Sequence, residues 1–389
     1  MEKLVTSNLK LGIIAGGQLG KMLIQAASKW DITCYVLDAT ENCPAGNIAH
    51  HFVQGSHTDY DAVYQFGKLV DVLTFEIESV NVEALLQLKQ EGLTIIPDPD
   101  ILALIQDKGL QKQFYWDQKI PTSPYALFTN EEAIRQAIET EEIAYPFVQK
   151  LRKGGYDGRG VSVINSESDL SELLPGPSVI ENKVDIEKEI AVIVARNNYG
   201  ETKCFPIVEM VFDPKANLVD KLVCPANLPE GIIEKANEIS TKVAELIEMV
   251  GLLAVELFVT KDGEVLVNEV APRTHNSGHH TIESVVTSQF EQHLRSVLNL
   301  PLGSTDLKMP AVMVNLLGEP GQTGPVMYQG LYETLAIDGV NLHLYGKKIT
   351  KPYRKMGHAT VIAPTIEEAI EKAEKVKNSI KVSAWKAEK

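Results

Sequence analysis

The sequence predicts a mixed α/β and α+β protein: an open parallel sheet at the N-terminus, a larger two-lobed α+β region, and a small β-rich domain at the end. Three observations carry this. Short apolar runs at 11–15, 33–37, 70–75 and 93–96 alternate with helical patterns such as Met22, Leu23, Ala26 and Ala27, the alternation that builds an open, mostly parallel sheet. From 106 to 297, helical segments at 131–138 and 231–250 lie among runs at 147–150, 161–164, 190–195, 252–260 and 265–270 that read as antiparallel strands. From Pro301 onward, short strands with glycine turns precede a helix from 366 to about 377. The expected domains are therefore 1–105, 106–297 with a lid at about 150–164, and 298–389.

The 389 residues allow about two or three domains. With 44% hydrophobic and 23% charged residues, the chain has ordinary globular composition. A net charge of −15 argues against a nucleic-acid partner bound through phosphates, which calls for a basic face. Positive charge is instead local, at Lys150, Arg152, Lys153 and Arg159, and again at Lys347, Lys348, Lys351, Arg354 and Lys355. Cys34, Cys43, Cys204 and Cys224 show no CxxC spacing, which points to a reducing compartment rather than a disulfide framework or zinc site. The first ten residues lack the apolar core of a signal peptide, and no apolar run approaches the roughly 20 residues of a membrane span. The expectation is a soluble cytoplasmic protein without a membrane partner.

The first apolar run breaks into Gly16-Gly17-Gln18-Leu19-Gly20 before a helix, and Asp38 closes the next strand. Such a turn lets backbone N–H groups meet a phosphate, and an acid there can read a ribose. A nicotinamide-dinucleotide dehydrogenase is one reading; a tight turn with no ligand is another. The fingerprint is incomplete, since Ala15 stands where its first glycine belongs.

Two later features carry more chemistry. A strand ending in Lys150 runs into Gly154-Gly155-Tyr156-Asp157-Gly158-Arg159-Gly160 and returns at Val161. A hairpin so rich in glycine can fold over a triphosphate, its N–H groups and cations meeting the oxygens. Further on, the Asp262-Gly263 pair is a two-residue hairpin signal; with those two as the loop, Glu256 falls directly opposite Glu269. Directly opposed residues share a sheet face with Cβ atoms roughly 4.5–5.5 Å apart. Two facing carboxylates on a half-buried face repel unless a cation lies between them, and oxygen donors beside phosphates suit Mg²⁺. A pair sharing one proton, or a register slip separating the two, are the alternatives.

A glutamate pair on a hairpin, downstream of a lysine and a glycine lid, resembles the organisation of ATP-grasp enzymes. The string Asn268-Glu269-Val270-Ala271-Pro272-Arg273-Thr274-His275-Asn276-Ser277-Gly278-His279 resembles the signature of the N5-carboxyaminoimidazole ribonucleotide synthetase family. Tyr156–Gly160 is similar to its second glycine loop, Gly16–Gly20 to its first turn, Thr74-Phe75-Glu76-Ile77-Glu78 to its acidic segment, and Arg354-Lys355-Met356-Gly357-His358 to its C-terminal string. The matches run in order from about residue 12 to 360.

The resemblance implies an ATP-grasp fold with an N-terminal parallel-sheet (pre-ATP-grasp) domain and a small C-terminal β-rich domain. It implies ATP-dependent carboxylation of 5-aminoimidazole ribonucleotide with bicarbonate, through carboxyphosphate, in purine biosynthesis. Glu181, Asn182, Lys183 and Val184 would hold adenine and Glu189 the ribose. Lys108, Lys150 and the lid from Gly155 to Val161 would meet the phosphates. Glu256 and Glu269 would bind Mg²⁺, or Mn²⁺, with Asn268 beside them; bare strand alternation turns Asn268 to the other face. The ribonucleotide would meet Gln18, Leu19 and Glu76, then Tyr156, Asp157 and Arg159, with Lys347, Arg354 and Lys355 on its phosphate. Arg273, His275, Asn276 and Ser277 would meet bicarbonate and its products, and Asp157 would take the amine proton. A homodimer is implied as well. Phe212 stands near where the family often carries a histidine, so the resemblance does not extend to that contact. The rival readings are a formate-dependent ribonucleotide transformylase or a biotin carboxylase within the class. Outside it they are the dehydrogenase and a non-catalytic nucleotide-binding module.

Overall fold

The structure is a computed structural model and describes residues 6–155, 160–213 and 218–385. The N-terminal part runs β1 (Lys10–Ile14), α1 (Gln18–Ala27), β2 (Thr33–Asp38), β3 (His51–Gln54), α2 (Tyr60–Gly67), β4 (Val72–Phe75), α3 (Val82–Gln90), β5 (Thr94–Ile95) and α4 (Pro99–Ile105). Its sheet is parallel, in the order β3-β2-β1-β4-β5. The central strand β1 is buried on both faces: Leu11 and Ile13 pack with Leu23 and Ala27 of α1, whereas Ile14 packs with Phe66 of α2 and Leu85 of α3. That two-sided burial is why β1 reads as an unbroken apolar run. The edge strand β3, His-Phe-Val-Gln, has no such run and escapes the pattern.

Next come α5 (Lys108–Asp117), β6 (Tyr125–Phe128), α6 (Glu131–Glu139), β7 (Phe147–Leu151), β8 (Val161–Ile164) and β9 (Ser178–Asn182), whose strands form an antiparallel sheet ordered β6-β9-β7-β8. The two strands of the expected hairpin pair antiparallel, with Lys150 facing Val161. The remainder comprises β10 (Ile186–Arg196), β11 (Thr202–Cys204), β12 (Val208–Asp213), β13 (Leu218–Cys224), α7 (Glu230–Leu246), β14 (Gly251–Thr260), β15 (Val265–Ala271), α8 (Thr281–Ser284), α9 (Gln289–Val297) and β16 (Ala311–Leu317). The chain ends with β17 (Gly324–Gln329), α10 (Leu331–Leu335), β18 (Val340–Leu344), β19 (Ile349–Thr350), β20 (Lys355–Ile362), α11 (Ile366–Ser379) and β21 (Lys381–Ala384). A nine-stranded sheet follows the path β15-β14-β10-β12-β13-β16-β20-β18, with β11 on β10, while β19, β17 and β21 pair separately. Because β13 pairs with β16, this sheet passes without a break from the middle of the chain into its C-terminal part.

The β14–β15 hairpin departs from expectation in two ways that cancel. Its loop has three residues, Lys261-Asp262-Gly263: the Thr260 N–H donates to Glu264 O at 3.0 Å, the Gly263 N–H to Thr260 O at 2.9 Å, and Gly263 takes φ +78°. This is the three-residue loop closed by a left-handed glycine. The register then runs Val259↔Val265 to Leu257↔Val267 and shifts before Glu256↔Glu269. The shift makes Asn268 the extra residue of a bulge. The opposition of the two glutamates holds, but a bulge rather than a two-residue turn produces it.

Candidate active site

The first glycine loop is satisfied from within. The Gly16 N–H donates to Asp38 Oδ2 at 2.8 Å, the Gly17 N–H to Glu76 Oε1, and the Gly20 N–H to Glu76 Oε2 at 2.5 Å. The anion position at the N-terminus of α1 thus holds the protein's own carboxylate. Burial pushes Glu76 up to about 7 against the pull of those two N–H groups, Arg273 and Lys347. Asp38 likewise buttresses the loop, which removes the geometric basis of the dehydrogenase reading. Ala15 takes φ +71°, the left-handed conformation a glycine would adopt without strain. Gln18 is half-buried in the first turn of α1, and Leu19 is buried in the core.

A group of charged side chains lies where the four-stranded sheet and α5 meet the β14–β15 end of the nine-stranded sheet. Lys108, at the start of α5, pairs with Glu269. Lys150, at the end of β7, reaches Asn268 Oδ1 at 2.7 Å and Glu181 Oε1 at 3.0 Å. The bulge explains Asn268: with one residue inserted, its side chain stays on the side of this group instead of alternating away. Burial, Glu269 and Glu189 together push Glu256 up to about 8. Burial also opposes charge on Glu269, but Lys108 and Lys150 outweigh it and hold that carboxyl well below the usual range. Burial lifts Glu189 to about 7, Lys150 pulling it down and Glu269 pushing it further up.

The strip after β15 joins this group to the N-terminal sheet. His275 Nε2 lies 3.3 Å from Glu256 Oε1, and its Nδ1 is 2.9 Å from Ser277 Oγ. Arg273 is held by Glu78, with Nη2 2.6 Å from Oε1. Buried Gln289 fixes the loop from below, accepting from the His275 N–H at 2.9 Å and donating to His275 O at 2.7 Å. Ser277 is buried, while Asn276 opens the short turn beside it. From the C-terminal part, Lys347 Nζ donates to Lys355 O at 2.7 Å and lies close enough to bear on the Glu76 carboxyl. Arg354, the chain neighbour of Lys355, turns one nitrogen onto Ile349 O at 2.6 Å. Lys21 of α1 ties the two ends together, donating to Leu344 O at 2.9 Å and Tyr345 O at 3.2 Å.

The chain is similar to known proteins along most of its length. Three family profiles match in order: a ribonucleotide synthetase preATP-grasp domain over 9–106, an ATP-grasp domain over 113–290, and a phosphoribosylaminoimidazole carboxylase C-terminal domain over 311–372. The N5-carboxyaminoimidazole ribonucleotide synthase of Bacillus subtilis is 35% identical over 95% of this chain and 96% of its own. The chain belongs to the N5-carboxyaminoimidazole ribonucleotide synthetase family. The Thermotoga maritima synthetase structure superposes with TM-score 0.89 at 47% identity, covering 97% of this chain and 100% of that one. The chloroplastic phosphoribosylaminoimidazole carboxylase of Vigna aconitifolia is 39% identical over 92% of this chain, which spans 64% of that longer protein. The fold is the ATP-grasp fold with an N-terminal parallel-sheet domain and a small C-terminal β domain.

Within this synthetase-family frame, the hard-oxygen donors fit a divalent cation. Among the described residues no three His, Cys, Asp or Glu side chains gather for a metal. Mg²⁺, however, needs only one or two carboxylates when phosphates supply further oxygens. Burial first, and then the facing Glu269, raises the Glu256 carboxyl, and Lys108 and Arg273 do not offset them. Tyr156, Asp157, Gly158 and Arg159 lie outside the described residues; Gly155 and Gly160 flank them. Asn182 and Lys183 are exposed at the end of β9, and Val184 is half-buried. Phe212 packs at the edge of a small apolar cluster with Met210 and Leu222. Sequence reasoning names Glu78 and Arg152 only within their segments, without a role of their own, and misses Gln289, Asp107 and Lys112. Asp107 takes both guanidinium contacts of Arg152, at 2.8 and 2.7 Å, and also caps α5. Lys112 was within reach of pattern analysis, since it lies four residues after Lys108 and so on the same helix face.

Proposed function

We propose that this chain carboxylates 5-aminoimidazole ribonucleotide with bicarbonate and ATP, giving N5-carboxyaminoimidazole ribonucleotide, ADP and phosphate. The observation that carries the reading is the double engagement of Glu256, which faces Glu269 across the hairpin and His275 of the signature strip. The metal and phosphate site and the bicarbonate strip would thereby share one residue.

Adenine would lie along the main chain of Glu181 to Val184, because the Glu181 carboxylate is already taken by Lys150, Lys112 and Ser123. Glu189 would meet the ribose hydroxyls. Lys108 and Lys150 would place positive charge on the phosphates during transfer. Glu256 and Glu269 would hold Mg²⁺ or Mn²⁺, which when bound neutralises charge on the phosphate oxygens. Arg273 and His275 would orient bicarbonate and the carboxyphosphate made from it; Glu78 holds the Arg273 side chain, while Gln289 fixes the His275 main chain and Ser277 and Glu256 hold its imidazole. Lys347 and Lys355, with Arg354, would hold the ribonucleotide phosphate. Asp157 in the lid would accept the proton of the exocyclic amine as its nitrogen bonds to carbon. The division at 105 and 297 and a cytoplasmic location, which rest on the sequence patterning, and a homodimer, which rests on the family resemblance, complete the reading.

The test is phosphate release from ATP in bicarbonate, with and without aminoimidazole ribonucleotide. Release that depends on both supports the reading. Release that requires formate instead would move the chain to the transformylase group.

A further inference from the structure

Lys112 is among the most buried charged side chains of the molecule, with only 3% of its side chain exposed. Its Nζ donates to Thr122 Oγ1 at 2.6 Å and Ser123 Oγ at 3.0 Å, and lies 3.2 Å from Glu181 Oε2. An ammonium has three N–H donors, and all three are used, so Lys112 has none left for a substrate. Its effect passes through Glu181. That carboxylate divides its oxygens, Oε2 toward Lys112 and Ser123 and Oε1 toward Lys150. Lys150 in turn holds Asn268 beside Glu269.

We infer that Lys112 is a positioning residue for the nucleotide site: by sharing the Glu181 charge, it leaves Lys150 with net positive charge for the phosphates. Two lysines and one glutamate sum to +1. Without Lys112 the remaining pair is neutral, and Lys150 closes onto Glu181. Thr122 reinforces the placement by donating to Val267 O at 2.7 Å, next to the bulge that presents Asn268. The groups facing Lys112 are Glu181 on β9, Lys150 on β7 and Lys108 on its own helix. Burial first, then the two lysines, bring its own value down to about 8 against the pull of Glu181. The +1 sum is accordingly present below that pH and lost above it.

This inference deepens the ATP reading and rests on it. The probe is ADP with Mg²⁺, titrated calorimetrically into the full chain at pH 7. Lys112→Met should weaken ADP by roughly tenfold or more, the scale of a charge-assisted contact. Lys112→Met combined with Glu181→Gln restores the +1 sum and should recover most of that loss. In the unaltered chain ADP affinity should fall as pH rises from 7 to 9.5, and the doubly substituted chain should lack this fall. A purely structural lysine would make the double variant bind no better than the single one, which overturns the inference, as does a single variant that binds like the parent. Should Lys112→Met not fold, the double variant decides alone: affinity within about threefold of the parent supports the proposal, and weaker binding overturns it. A parent chain that fails to bind ADP would overturn the ATP reading itself.

Discussion

Glu256 stands opposite Glu269, and the residue that makes this possible is Asn268, the bulge between two registers of one hairpin. The two acids differ in their company: Glu269 has Lys108 as its ion-pair partner, whereas Glu256 has the His275 imidazole.

That asymmetry predicts opposite effects on stability. Both Glu256→Gln and Glu269→Gln should abolish Mg²⁺-dependent ATP turnover. In metal-free protein at neutral pH Glu256→Gln should stabilise by about 1 kcal/mol, because burial and then Glu269 make this carboxyl take up a proton on folding, a cost the amide lacks. Glu269→Gln should destabilise by about 1 kcal/mol, because Lys108 loses its counter-ion; 40% of the Glu269 side chain remains accessible, so water screens the rest. Thermal melts in chelator check both signs. A shift in the same direction for both variants would refute the assigned charges.

The two anion sites should separate. Lys150→Ala should weaken ATP binding and leave the ribonucleotide nearly unaffected. Lys347→Ala and Arg354→Ala should do the reverse, by roughly tenfold to a hundredfold for a charged phosphate contact of about 1.5–3 kcal/mol. Equilibrium titration of each ligand into each variant measures it. Loss of ATP affinity in Arg354→Ala would reassign the C-terminal basic cluster.

Gly160 closes the lid hairpin at φ +76°, its carbonyl accepting from the Leu151 N–H at 2.8 Å. A Cβ there would sit 3.1 Å from Gly155 Cα. Gly160→Ala should therefore strain the hairpin by about 1–2 kcal/mol and raise KM for ATP more than KM for the ribonucleotide. In the parent chain nucleotide should protect the segment around Arg159 from protease; equal cleavage with and without ATP would mean that the lid does not close over it.

Ala15 pays for the tight first turn with φ +71°. Its left-handed conformation costs roughly 1–2 kcal/mol, offset in part by the roughly 0.5–1 kcal/mol that glycine loses in chain entropy. Ala15→Gly should thus raise Tm by about 1–2 °C with turnover unchanged, whereas most alanine-to-glycine changes lower it. A lower Tm would show that the loop does not hold this conformation in solution.

Much of this was legible in the sequence because the signals are local. Parallel strands buried on both faces give continuous apolar runs, and the glutamate opposition follows from a hairpin register. The turn type was misjudged because Asp-Gly serves both two- and three-residue loops, and the compensating bulge at Asn268 has no compositional mark. Strand alternation alone placed Asn268 on the wrong face for the same reason. Partnerships across long sequence separations stayed hidden: Glu76 under Gly17 and Gly20, Arg273 on Glu78, Gln289 beneath His275. Each depends on tertiary approach. Only the resemblance placed Lys347 and Lys355 near the N-terminal loop.

The uninterrupted ladder from β15 to β18 acts as a ruler. It carries the opposed acids on β14 and β15, Lys355 at the start of β20, and Lys347 in the loop that follows β18. The relation between these strands is set by inter-strand hydrogen bonds, which tolerate little stretch. Scission near residue 298 would not release two tidy pieces. It would allow β13 and β16 to part and expose two long unpaired edges, which invite pairing with other chains. Loss of the C-terminal part should accordingly register first as aggregation, before any change in substrate affinity could be measured.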